Sequence, residues 1–188
     1  DNFKGLYDLL NGEYVEPGLW NKLYHQSIIH QFFESNIMNT ELKNLEDLLM
    51  NYYLFKLSNK SIYEDKCKYS YMLRNNSAAT SGFNIKKYYD PVTVFETISK
   101  DLSDSVLMSV VQSRYISFLI NQTTIENKTV KNDAKKRLKN SGNIIFNSQI
   151  SLKLRLMFFF GTYLNPIYRI IRKTYNFITN IDKKYSLD

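Results

Sequence analysis

From Leu42 to Phe55 the apolar residues Leu45, Leu48, Leu49, Tyr52, Tyr53 and Phe55 recur at steps of three and four. That is the period of an α-helix that buries one face. The pattern returns at Phe95, Ile98, Leu102, Val106, Val110, Ile116 and Ile120, which fits one long helix or two. Helices with apolar faces must bury them against each other. The expected fold is therefore α+β and predominantly helical, with strand signals confined to a short stretch.

That stretch is Ser61 to Leu73, where Cys67, Tyr69, Tyr71 and Leu73 alternate and strand formers are common. A strand ending at Arg74 is expected. The small polar run from Asn75 to Gly82 then reads as a loop. Earlier in the chain, Asn11-Gly12 and Pro17-Gly18 mark turns, so residues 1 to 40 read as short helix, turn and a cluster around Trp20. Thr40 or Asn44 is placed to cap the helix that follows. Pro91 suits the first turn of the next one. Lys128 to Lys139 is a charged helix closed by Ser141-Gly142-Asn143, and Asn165-Pro166 separates an apolar run at 152–160 from Ile167 to Ile178. Punctuated by Lys153, Arg155 and Pro166, that run is too short for a bilayer span, which needs about 20 apolar residues.

Charge is unevenly spread. Residues 1–127 hold 12 Lys and Arg against 15 Asp and Glu, a net of −3; residues 128–188 hold 13 against 3, a net of +10. A basic tail of this kind suits an anionic membrane surface, an acidic partner or nucleic acid through the same electrostatics. Nucleic acid is the poorest of the three, because no recognisable binding motif is interleaved with the cations. The single cysteine, Cys67, forms no internal disulfide, which fits a reducing, cytoplasmic compartment. No signal peptide is visible at Asp1-Asn2-Phe3-Lys4. His25 and His30, five apart, do not align as metal ligands on a helix, so no metal site is expected from them.

Three groups carry candidate chemistry. Glu46-Asp47 is an acidic pair opening a helix, where carboxylates either serve the macrodipole or act as general bases. Trp20, the only tryptophan, stands beside Asn21 and Lys22 in Leu19-Trp20-Asn21-Lys22-Leu23-Tyr24; it is either a core anchor or an aromatic platform flanked by hydrogen-bonding groups. Arg74 and Ser77 lie where the expected strand enters the small-residue loop, either as surface residues or as part of a lid whose guanidinium binds a diphosphate.

In this order and at these distances, the Trp20 segment, the acidic pair and the Tyr69-to-Ser77 segment resemble the second, acceptor-side half of a family 2 glycosyltransferase of the GT-A fold. The resemblance implies an inverting transfer of a sugar from a nucleotide-sugar donor to a glycan or lipid-linked acceptor, in a bacterial surface polysaccharide pathway. By that resemblance Asp47 is the catalytic base and Glu46 its neighbour. Trp20, Asn21 and Lys22 shape the acceptor side, and Arg74 and Ser77 cover the diphosphate. Leu45 departs from the pattern, since the family usually carries a small residue before the acidic pair. The nucleotide-binding half, with its Asp-x-Asp motif and divalent Mg or Mn ion, has no counterpart here, so this chain alone is expected to have little activity. The expected division is an acceptor-side portion at 1–90 and a helical region with a basic amphipathic tail at 91–188, cytoplasmic and peripheral at the inner face of the membrane. The alternative is a non-catalytic helical interaction module that docks on a membrane or protein partner through that tail.

Overall fold

The apolar period around residues 45–55 becomes α3, Glu46–Leu57, and three other helices gather around it. In the computed structural model, which describes residues 2–66, 68–70, 72 and 84–179, α1 spans Asn2–Asn11, α2 Gln26–Ser35 and α4 Lys86–Asp101, each packing on α3. Leu48, Leu49, Tyr52 and Leu54 of α3 are buried against Leu6, Leu9 and Leu10 of α1, Phe32 of α2, and Tyr88, Val92, Phe95 and Ile98 of α4. A helix enclosed from several sides buries several faces, which is why α3 has little amphipathic character of its own. Its far end is tied to α4 by Asp101, which accepts hydrogen bonds from the Tyr52 hydroxyl at 2.6 Å and the Lys56 ammonium at 2.7 Å. Burial pushes the Asp101 carboxyl up, but those two donors outweigh it and hold it below the usual aspartate range.

The start of α3 departs from the expected cap. Leu45 occupies the N-cap position in a left-handed conformation, φ 63°, and no side chain caps the helix. Asn44 instead turns its amide to Asp90 at 2.9 Å, and the Lys43 backbone N–H donates to the same oxygen at 3.0 Å. Thr40 lies outside the helix. One buried carboxylate on α4 thus fixes the chain that enters α3.

Two further expectations are corrected, and one left between two alternatives is resolved. Pro91 stands inside α4 rather than in its first turn. The long apolar pattern resolves into α4 and α5, Ser105–Gln122, because the Asp104 side chain accepts from the N–H groups of Val106 and Leu107 at 2.8 and 2.9 Å and so starts a new helix. Of the strand expected from Ser61 to Arg74, the described residues 61–66, 68–70 and 72 are irregular, while Cys67, Tyr71, Leu73 and Arg74 lie outside the described residues; no strand occurs among the described residues. Ile62 and Tyr63 are largely exposed, and strand backbone needs a neighbour to satisfy its N–H and C=O groups. Architecture among the described residues is helical rather than α+β.

The chain divides into two compact units, Asp1–Tyr71 with Asn84–Gln112, and Met72–Phe83 with Ser113–Asp188. Residues 90 and 91 both lie in α4, and the two units divide between Gln112 and Ser113 of α5. In the second unit, α6 spans Lys128–Asn140, α7 Leu152–Tyr163 and α8 Asn165–Thr179. Asn127 caps α6 by accepting from Val130 N–H at 3.1 Å, and Val130, Ala134 and Leu138 form its buried stripe. Gly161 lets α7 approach α5 closely, since a Cβ there would sit 3.0 Å from Ile120 Cγ2. The buried Asn165 amide, at the α7–α8 junction, donates to Thr123 Oγ1 at 2.9 Å and to the Gly161 carbonyl at 3.1 Å. No described helix is long and apolar enough to cross a membrane.

Candidate functional site

Pro17-Gly18 turns the chain after α1 into a short 3-10 turn, Leu19–Asn21, and this loop lies over the start of α3. Asn51, fully buried one turn after Asp47, holds it there. Its amide donates to the Pro17 carbonyl at 2.5 Å and to the Asp47 carbonyl at 3.0 Å, while its own oxygen accepts the Tyr24 hydroxyl. Between loop and helix lies an open recess of about 650 Å³, lined by Glu16, Pro17, Gly18, Trp20, Leu45, Glu46 and Asp47. Trp20, 26 and 27 residues before Glu46 and Asp47 in sequence, therefore lines the same recess as they do.

Asp47 is half-buried in this recess. Burial pushes its carboxyl above the usual aspartate value; the Leu19 backbone N–H bonded to it and the nearby Lys22 ammonium pull the other way without cancelling the effect. A carboxylate with a raised pKa is a better proton acceptor than an exposed one. Trp20 remains 40% exposed, with one ring stacked on Tyr69 at 4.5 Å between centroids and 30° between planes. Tyr69 therefore braces the indole, and a small ligand in the recess would meet apolar ring edge and face beside three carboxylates.

Lys22 is turned toward the loop itself. Its ammonium donates to the carbonyls of Glu16 and, at 2.7 Å, Gly18, and to Asn21 Oδ1 at 2.6 Å. All three of its N–H groups are thereby used, and the Asn21 side chain is engaged with it. Burial pushes the ammonium down to about 8, against the opposing pull of the Glu16 and Asp47 carboxylates. In this arrangement Lys22 and Asn21 shape the loop from behind. Arg74 and Ser77 lie outside the described residues.

Sequence reasoning did not single out Glu16, Tyr69, Tyr24 or Asn51. Asn51 carried a usable signal: it is a polar residue one helical turn from Asp47, set among apolar residues of the same helix. The left-handed backbone of Leu45 is a conformation that glycine adopts without a steric penalty, and Leu45 lines the recess. Among the described residues no group of three or more His, Cys, Asp or Glu could hold a metal ion.

Gly18 sets the position of the indole. A Cβ on Gly18 would stand 2.3 Å from Trp20 Nε1, whereas ordinary contact is about 3.5 Å, so Gly18→Ala must drive the ring outward by about 1 Å or more. Because Trp20 is the sole tryptophan, its fluorescence reads this directly. The expected result is a red-shifted, more easily quenched emission with helix content unchanged; an identical spectrum would mean the ring is not packed on Gly18.

Compared with known proteins, the chain matches no family model, no curated protein and no solved structure.

Proposed function

We propose that the recess at the head of α3 is the acceptor side of a sugar-transferring enzyme, with Asp47 as the general base. The observation that carries this reading is the convergence of Trp20, Glu46 and Asp47 on one open recess, with the Asp47 carboxyl pushed up by burial. Sugars present hydroxyls to carboxylates and C–H faces to indoles, so this lining suits a polyhydroxylated ligand. In the reaction, Asp47 accepts the proton of the acceptor hydroxyl as that oxygen forms the bond to the anomeric carbon and the nucleotide diphosphate departs with its bonding electrons. Glu46 and Trp20 orient the acceptor. The donor site, with its cation, belongs to a nucleotide-binding portion that this chain does not supply.

The second reading, a non-catalytic helical interaction module, is supported by the wholly helical regular structure of the described residues. The two separate by experiment. Titrating glucose, galactose, N-acetylglucosamine and their short oligomers against Trp20 fluorescence should give a saturable change for at least one of them, weakened in the Glu46→Gln, Asp47→Asn double variant. No saturable change up to about 100 mM, where binding is worth only about 1.4 kcal/mol, would overturn the sugar reading and leave the interaction module.

A further inference from the structure

The second unit carries an apolar surface that nothing above uses. On α8, Ile167, Ile170, Ile171, Tyr175 and Ile178 recur at steps of three and four and are exposed, Ile170 at 67% and Ile178 at 72%. On α7, Leu152, Leu156, Phe159 and Tyr163 form a second exposed stripe, four, three and four residues apart. Helices of globular proteins normally bury such stripes. Here α8 is held to its own unit by the other side: Asn165 and Tyr168 are its buried residues, and the Arg172 guanidinium donates to Asn121 Oδ1. The polar side packs inward and the apolar side faces out. Exposed apolar stripes of this kind mark an interaction surface.

Charge identifies the occupant. From 128 to 179 the chain holds eleven Lys and Arg against one acid, Asp133, and that acid is paired with Arg137 at 2.7 Å. Lys131, Lys135 and Lys139 stand at four-residue steps along α6, and Arg169 of α8 joins them. Partial burial first, and then the nearby charges of Lys131, Arg169 and Lys139, hold the Lys135 ammonium below its ordinary value. Lys173 is exposed on α8 beside its apolar side. Like charges gathered in the same unit as exposed apolar stripes are best relieved by a surface that is anionic and apolar at once.

We propose that α7 and α8 lie flat on an anionic lipid bilayer, with the Ile-, Leu- and aromatic-rich stripes in the interface and the α6 lysines, Arg169 and Lys173 over the headgroups. Such helices bind by apolar burial plus attraction to anionic lipid, without crossing the bilayer. The proposal is independent of the sugar reading and concerns a different unit of the chain.

Co-sedimentation of the protein with vesicles of phosphatidylcholine and phosphatidylserine at 70:30, against phosphatidylcholine alone, tests it. Binding is expected to the mixed vesicles and to weaken with added salt. Replacing Lys131, Lys135 and Lys139 by Gln should weaken it by about 100-fold, at about 5-fold per cation near the surface. Ile170→Ser with Ile178→Ser should also abolish most binding, and because both side chains are exposed the fold should persist by circular dichroism. Failure to bind mixed vesicles overturns the proposal, as does binding that ignores the serine substitutions. A lipid-free dimer at the working concentration that the same serine substitutions dissociate would overturn it too, in favour of a second copy as the occupant.

Discussion

Replacing Asp47 by Asn in the full-length protein is expected to lower sugar transfer by about 10²- to 10⁴-fold, the usual contribution of a positioned general base. The amide is nearly the same shape, and the Leu19 N–H can still donate to its oxygen, so recess and helix should be unchanged. What the variant loses is the lone pair that takes the acceptor proton in the proposed reaction. The pH dependence gives an independent check. Burial raises the Asp47 carboxyl above the ordinary aspartate value of 3.8, so the acidic limb of the rate profile should lie above an ordinary aspartate titration and should vanish in the residual activity of the variant. The effect on folding has the opposite sign from that of an ion-paired carboxylate. A raised folded pKa means the folded state holds its proton more tightly, so stability from this group is present below 3.8 and lost as pH rises through the raised value. Asp47→Asn should therefore remove that loss and leave the protein no less stable at neutral pH. Transfer that survives the change intact would show the acid pair to be a helix-start feature only.

The helical core was legible because its signal is periodic and local. Leu45 to Phe55 and Val130, Ala134 and Leu138 repeat at helical spacing whatever packs against them. Where the expectation failed, the deciding partner was remote. Alternation from Cys67 to Leu73 resembles a strand, but a strand exists only where a neighbour accepts its hydrogen bonds, and none forms among the described residues of that segment, 68–70 and 72. Asn44 has the chemistry of a cap; the Asp90 carboxylate, 46 residues away, takes its amide first. Trp20 and Asp47 fall in one recess because Asn51 pins the intervening loop, a contact between backbone and side chain that no spacing rule encodes. The exposed stripes of α7 and α8 show the complementary limit. Their period is plain in the sequence, yet which side of α8 meets the protein was decided by Asn165 and Arg172, two polar residues.

The largest loss of stability from a single polar residue is expected at Asn51. It is fully buried, and its side chain makes three bonds: to the Pro17 carbonyl, to the Asp47 carbonyl and from the Tyr24 hydroxyl. Asn51→Ala removes all three, strands the Pro17 carbonyl and leaves the Tyr24 hydroxyl in surroundings that already push its pKa upward through burial. Each buried polar group left without a partner costs about 1–3 kcal/mol, and the vacated volume adds a cavity term. A loss of about 3 kcal/mol in urea unfolding is the expected sum. The loop carrying Trp20 should loosen as well, so emission should shift to the red before the main transition. Tyr24→Phe separates the contributions. Alone it should destabilise, by leaving the Asn51 oxygen without its donor; combined with Asn51→Ala it should cost almost nothing more, a coupling of about 1 kcal/mol or above in the double-mutant cycle. Additive losses would mean that the two side chains act separately, and the loop would then be held over α3 by apolar packing rather than by this network.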